Sequence, residues 1–577
     1  MASLVSPGVQ VREIDLTNVV PAVSTSIGGY AGAFSWGPVE EVRTVSSEKE
    51  LAELFGLPPK TDVSVSQSFL TAASFLKYSG SLKVVRAGAA SGYKNATSGS
   101  GGTSGVQINN FAAYEASFNA NAGSVGVMGA KYPGTLGNGL IVSICPAAAA
   151  FATWQYPLSG DPITLVRNAF TAAPGSSAYA VSKGASADEM HIAIIDGSGI
   201  WSGTPGTVLE TFAFVSQASD AVKEDGTSNY YKTVLNTQSK YIYQLANEST
   251  LTEIGSTAVV GAAFVTGSVN LQYTLAGGTD VAVTSAHIVT ALDYLADSET
   301  VDVNLLFAVP DNADQTTIAA KLASIAVARK DAIAFLSPPI ATSTGSTPTT
   351  SVKAWVASSQ SGAGASSYVV YNNTALKVYD KYADDYRYIG AGGHIAGLCA
   401  QTDAVADAWF SPAGFNRGQL LGVTKLAYNA NNADRDTLYK ANINPIVSFP
   451  GQGTVLFGDK TGLVKPSAFD RINVRRLFIV LQKAISTAAK FQLFEFNDEF
   501  TRAQFKNIVE PFLRDVQGRR GIVDFAVICD SSNNTSQVID SNEFVAEIYV
   551  KPSRSINYIT LSFIATRSSV QFSELVG

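Results

Sequence analysis

The sequence predicts a multidomain α+β protein with an α/β core, a compact C-terminal α+β domain, an inserted mostly-β domain and an extended N-terminal arm. Three observations lead there. Short apolar strands alternate with amphipathic helices over residues 25–86 and again over 285–371. The stretch between them shifts to Ser, Thr, Gly, Tyr and Phe, opening with SGSGGTSG at 98–105. Past residue 470 comes a pair of helical patterns and then strands of strict alternation. Alternation of period 2 marks half-buried strands, and the i, i+3, i+4 spacing marks helices with one buried face.

In chain order, Val9 and Val11, with Ile14 beyond them, alternate with Gln10, Arg12 and Glu13. So short a strand, with no hairpin turn after it, needs a partner far along the chain or on another chain. Residues 1–20 are therefore read as an extended arm. Ile27 to Phe34 reads as a strand of small residues, Val42 to Val45 as a second strand, and Leu82 to Arg86 as a buried third. Ser46 or Ser47 caps a helix that Gly56 ends, and Ser66 to Tyr78 is another helix. Later, Ser285 to Ala296 reads as a helix. Val301 to Val309, Thr316 to Arg329 and Ile333 to Leu336 then form a strand–helix–strand unit with parallel strands. The Ser/Thr/Gly/Pro-rich residues 338–367 read as a long exposed loop, and GAGGHIAG (390–397) as a tight loop.

The best helical pattern runs from Asp470 to Gly521. Val474, Leu477, Phe478, Leu481, Ile485 and Ala488 draw one stripe, followed by the aromatic run Phe491, Phe494 and Phe496. Phe505, Ile508, Phe512 and Val516 repeat on a second helix, where Pro511 predicts a kink or a fresh first turn and Gly518 a C-cap. Strands at 522–530, 543–552 and 556–568 follow. In the second of them Phe544, Ala546, Ile548 and Val550 share a face. The expected domains are the arm at 1–20, a central α/β domain of 21–90 plus 276–422, the insertion at 91–275, and a C-terminal α+β domain at 423–577.

Composition bounds the function. The 577 residues are 46% apolar and only 15% charged, below the usual share of about a quarter, so the chain folds and suits surfaces covered by neighbours. A net charge of −7 argues against a nucleic-acid scaffold. Cys145, Cys399 and Cys529 are few and far apart, as reduced buried thiols would be. The first residues lack a basic stretch followed by an apolar one, so no signal peptide is expected. No apolar run approaches the ~18 residues of a membrane span.

No catalytic constellation stands out. GTVLFGDKTG (453–462) nears a phosphate-binding loop, but Asp459 puts negative charge where phosphate would sit. His191, His287 and His394 stand alone, without metal-ligand spacing. Asp384-Asp385 and Glu40-Glu41 are adjacent, so on a strand each pair splits between opposite faces. No enzyme activity, cofactor or metal is expected. The main cationic concentration, Arg471, Arg475, Arg476, Arg519 and Arg520, fits local ion pairs or a basic face meeting an acidic partner.

Several strings in one order carry a resemblance. They are SPGVQVREID (6–15), AGAFSWGPVEE (31–41) with SSEKELAELFG (46–56), LAGGTD (275–280), and AGLCAQTD (396–403) with SPAG (411–414). RDTLYKANINPI (435–446), GQGTVLFGDKT (452–461) and INVRRL (472–477) complete the series. The chain resembles the contractile tail sheath proteins of myovirus-type bacteriophages and the wider contractile injection system family. The resemblance implies a structural subunit that polymerises into stacked hexameric rings around a tail tube and contracts to drive the tube through a host envelope. It implies homo-oligomeric contacts, the tail tube protein, baseplate and tail terminator proteins as partners, no nucleic acid and no membrane insertion. The location it implies is the virion tail, assembled in the host cytoplasm. A non-phage contractile device would use the same sheath.

Two sets of candidate residues follow from it. Val9, Val11 and Ile14 in the arm, and Phe544, Ile548 and Val550 near the C-terminus, would complete sheets of neighbouring subunits. The helix at 498–517, with Lys506, Arg514, Arg519 and Arg520, would face the tube. For one arm, four or five strand hydrogen bonds give about 4–5 kcal/mol. Three buried apolar side chains add roughly 5–8. Ordering about six residues costs about 6–12. A single arm is thus near balance, and arms hold only cooperatively.

Overall fold

The computed structural model describes residues 24–89, 91–99, 106–118, 125–157, 164–251, 253–264, 269–309 and 314–557. Val9, Val11, Ile14 and most of the strand expected at 556–568 lie outside them.

The central unit is a seven-stranded sheet in the order Ile443–Asn444, Val369–Asn372, Ile333–Leu336, Leu305–Ala308, Gly28–Gly32, Leu82–Arg86 and Val42–Val45. All neighbours are parallel except the last pair. The central strands are buried on both faces, as parallel sheets require, which is why LLFA and IAFL read as continuous apolar runs. The small residues of the first strand have a packing cause. A Cβ on Gly28 would lie 2.8 Å from Phe75 and Leu82 side chains. Helices Val63–Leu76, Ser285–Asp293, Gln315–Arg329 and Gly392–Val405 cover the sheet.

Three expectations change here. Residues 338–367 are not a loop throughout, because helices Ile340–Thr344 and Pro348–Ser359 lie within them. Pro348 occupies the first turn, and Val352, Trp355 and Val356 at i, i+3 and i+4 are buried. GAGGHIAG is not a loop but the start of the buried helix Gly392–Val405. Its glycines allow a close helix crossing: a Cβ on Gly393 would stand 2.4 Å from Ser74 Oγ, and one on Gly397 2.4 Å from Tyr78. The C-terminal domain does not begin at 423. Strand Val423–Leu426 pairs with Ala375–Asp380, Ile443–Asn444 closes the central sheet, and Leu438, Ile446 and Leu456 enter the central core.

Residues between 91 and 275 carry a four-stranded antiparallel sheet, ordered Thr207–Ser216, Glu189–Asp196, Leu140–Cys145 and Leu271–Thr274, with its own apolar core. Helices Phe111–Ser117 and Tyr231–Gln238 add to it. Its two connections run side by side, with Thr97 and Ala276 exchanging backbone hydrogen bonds of 2.9 and 3.0 Å. Arg86 is fully buried at this junction and donates to Phe34 O, Gly37 O, Tyr93 Oη and Pro133 O.

The last unit packs helices Ile472–Lys490 and Glu499–Gly518 against the hairpin Ile522–Ile528 and Glu547–Pro552. Leu477, Leu481, Phe505, Val509, Leu513 and Val516 fill its core, with Trp409 arriving from upstream. The second helix is continuous across Pro511, with no new start there, and Gly518 is its last residue. Its buried stripe is Thr501, Phe505, Val509, Leu513 and Val516, so Ile508 and Phe512 fall to the half-buried flank.

Candidate functional site

The arginines at the head of helix Ile472–Lys490 form a joint between the two units. Arg476 is 3% exposed. It donates to Asp403 Oδ2 at 2.6 Å and to Cys399 O at 3.2 Å, while Thr25 Oγ1 donates to the same Asp403 oxygen at 2.6 Å. Burial pulls the guanidinium pKa down, but the charge and hydrogen bond of Asp403 together with Cys399 outweigh it, and the net shift is upward. Arg475 lies between the Tyr368 and Phe469 rings, 4.2 and 4.1 Å from their centres, and donates to Ser367 Oγ at 2.6 Å. Arg471 reaches Tyr439 Oη at 2.8 Å and Asp459 at 3.5 Å. Lys483 pairs with Asp302 and donates to Ser24 O at 3.2 Å. Of the two readings of this cluster, internal pairing holds for Arg471, Arg475 and Arg476. They are spent inside the chain.

Segment 453–462 is equally committed. Strand Gly453–Leu456 pairs with Ile446–Phe449, Lys460 Nζ donates to Tyr439 O at 2.7 Å, and buried Asp459 accepts from Ser411 and Ser555. His394 is fully buried. The Tyr78 hydroxyl accepts from Leu421 N at 2.7 Å and shares a hydrogen bond of 2.9 Å with His394 Nδ1. Burial, with Lys77 adding to it, pushes the His394 pKa down to about 3. His287 caps its own helix, and His191 stacks on Phe170 and bonds Ala172 O. Each of these groups already has a structural partner.

The hairpin Ile522–Ile528 and Glu547–Pro552 has only two strands among the described residues, so each strand keeps one free edge. Such edges are templates for strand addition. Of the predicted arm residues, Ile548 and Val550 turn onto their own domain's core, paired with Val527 and Phe525. Phe544 sets its ring edge-on to Phe505 at 5.5 Å. These side chains thus pack within their own domain.

The predicted cationic residues differ in their partners. Lys506 pairs with Glu510 at 3.6 Å. Arg519 pairs with Asp407 and Asp515 and covers Trp409. Arg520, in a left-handed conformation at φ 67°, lines a cleft of about 870 Å³ with Trp409, Arg435 and Arg554. Arg514 is exposed and has no ion pair among the described residues. The aromatic run after the first helix carries no role that the sequence assigns. In the structure Phe491, Leu493, Phe494, Phe496 and Phe500 stand out from the turn between the two helices, 64% to 105% exposed. The signal was the run itself, which continues apolar after helical spacing stops.

Residues 282–462 match the model of the phage tail sheath protein central domain, and residues 464–566 that of the phage tail sheath C-terminal domain. The chain belongs to the phage tail sheath protein family. It is similar over 100% of its length to the tail sheath protein of Vibrio phage KVP40, at 33% identity and covering 100% of that chain. It is likewise similar to the tail sheath protein of Enterobacteria phage T4, at 32% identity, covering 100% of this chain and 99% of the other. The fold is shared with the sheath tail protein of Listeria innocua, at a TM-score of 0.52 and 12% identity over 92% of this chain and 96% of that one. It is shared too with the contracted helical sheath of the anti-feeding prophage, at 0.50 and 13% over 98% and 100%. This is a structural tail sheath protein of contractile phage tails.

Proposed function

We propose that this chain stacks as hexameric rings into a helical sheath around a tail tube, between a baseplate and a tail terminator, and is assembled in the host cytoplasm. Contraction of that sheath drives the tube through the host envelope. The observation that supports this reading most is the hairpin, two-stranded among the described residues, in a chain whose N-terminal sequence alternates apolar and polar residues from Val9 to Ile14. Strand donation from one copy into the hairpin of the next is a head-to-tail contact, which generates rings and helices rather than closed dimers. Val9, Val11 and Ile14 would supply the inserted side chains, and the hairpin its backbone. Because each arm alone is near energetic balance, the arms act as cooperative hinges while larger domain faces slide.

Deleting residues 1–15 tests this. The truncated chain should remain a folded, soluble monomer and form no long sheaths by negative-stain microscopy. Sheaths of normal length from that protein would overturn the arm reading.

For the tube, Arg514 and Arg520 are the cations of the predicted set that carry no ion pair among the described residues, and with Lys506 and Arg519 they form the proposed tube-facing set. The substitution R514E/R520E should weaken co-assembly with the tube by about tenfold or more while leaving the melting temperature unchanged. Unaltered co-assembly would remove these residues from the tube contact.

A further inference from the structure

The turn between helices Ile472–Lys490 and Glu499–Gly518 exposes more apolar surface than its surroundings explain. Phe491, Leu493, Phe494, Phe496 and Phe500 lie within ten residues, and Phe494 is held at φ 71°, a left-handed conformation that a bulky residue seldom adopts. Exposed apolar side chains gathered on one turn mark a docking site. Glu495, Asp498 and Glu499, with Lys490 and Arg502, stand at its rim.

The path of the chain indicates what covers it. Thr25 O accepts from Arg476 at 3.4 Å and Ser24 O accepts from Lys483 at 3.2 Å. Traced backwards from Thr25 to Ser24, the chain therefore runs along the helix from Arg476 towards Lys483, in the direction of the turn. From Lys483 to Phe491 the helix advances about 12 Å. The eight residues before Ser24 are LTNVVPAV (16–23), uncharged and largely apolar. Extended, they span up to about 26 Å, enough to reach the whole turn.

We propose that residues 16–23 dock on the aromatic turn of their own chain, with Val19, Val20 and Val23 packed on Phe491, Leu493, Phe494 and Phe496. An uncharged segment suits the apolar centre and leaves the charged rim in water. Docking there fixes the root of the N-terminal segment to the C-terminal helix pair, so that residues 1–15 leave from a defined point instead of sweeping freely. The contact is within one chain and does not rest on strand exchange between copies.

Hydrogen exchange of the full-length monomer tests it. Amides of 491–500 should exchange at least about tenfold faster in V19D/V20D than in the unaltered chain. Equal rates in the two proteins would overturn the proposal. A second variant, V20C/F494C, guards against misfolding of the first. Oxidation of the dilute protein should give a disulfide at monomer mass, which supports the proposal. Disulfide-linked dimers would assign the turn to a neighbouring copy. The absence of any link, together with loss of tube binding in F494S/F496S, would assign it to the tube. Either of those results overturns the docking.

Discussion

Arg476 shows what a charge does when it is taken inside. Its guanidinium is shared between Asp403, Cys399 O and Thr25 O, which lie on segments more than 370 residues apart at the extremes. Removing one partner of such a pair leaves the other buried and uncompensated. Arg476→Ala should therefore cost about 3–5 kcal/mol, read from the denaturant midpoint. Adding Asp403→Ala should cost much less than the sum of the two single changes. A midpoint unchanged in the first variant would refute this account. His394 behaves differently. Its usual value of 6.5 is lowered to about 3 in the folded chain, so the unfolded chain binds the proton more tightly. Its contribution to stability is complete above pH 6.5 and drains away as the pH falls towards 3. His394→Gln should flatten the loss of melting temperature between pH 6.5 and pH 4. A slope identical to that of the unaltered chain would show that His394 does not drive it.

At the scale of elements, Gly393 of helix Gly392–Val405 sets how closely it crosses helix Val63–Leu76, and Gly397 how closely it meets Tyr78 just past that helix. A Cβ on Gly393 meets Ser74 Oγ at 2.4 Å and Thr71 O at 2.6 Å, and backbone does not move aside cheaply. Gly393→Ala should destabilise by about 1–3 kcal/mol despite its better helix propensity. Any gain in melting temperature would contradict the close crossing. Helix Glu499–Gly518 offers the opposite case. Pro511 sits exposed inside it and removes one backbone hydrogen bond. Pro511→Ala restores that bond, and a rise in stability of up to about 3 kcal/mol is expected in calorimetry. No rise would mean that the tertiary packing already absorbs the proline's cost.

For the molecule as a whole, the insertion is separable from the sheet it interrupts. Among the described residues, the central core cluster draws none from 88–282. Thr97 and Ala276 already face each other through a pair of backbone hydrogen bonds, so a two-residue Asn-Gly turn in place of 98–275 would close a hairpin. That shortened chain should fold, with the circular dichroism of the central and C-terminal units retained. Its melting temperature should fall, because Trp36 loses Tyr132 and Trp201, which pack on it at 5.4 and 5.0 Å. An unfolded product would show that the buried Arg86 junction is needed for the core itself.

Local pattern carried much of the architecture. Apolar runs marked the strands at 82–86 and 333–336, alternation marked that at 522–528, and caps such as Ser47 and Asp498 marked helix starts, because each depends on neighbours a few residues away. The order of motifs carried the family, since a series spread along the chain survives where no single string is specific. Three-dimensional packing decided the rest. Glycines that read as a loop at 390–397 became a buried helix because another helix lies against them. Strand Ile443–Asn444 went to the central sheet because that sheet had an edge to fill, which no local signal records. Three arginines that could have faced a partner were drawn inside by carboxylates and rings brought from distant segments, while the aromatic turn remained on the surface. Periodicity shows which face of an element is apolar, but only the assembled fold determines which faces are still uncovered once the others have met.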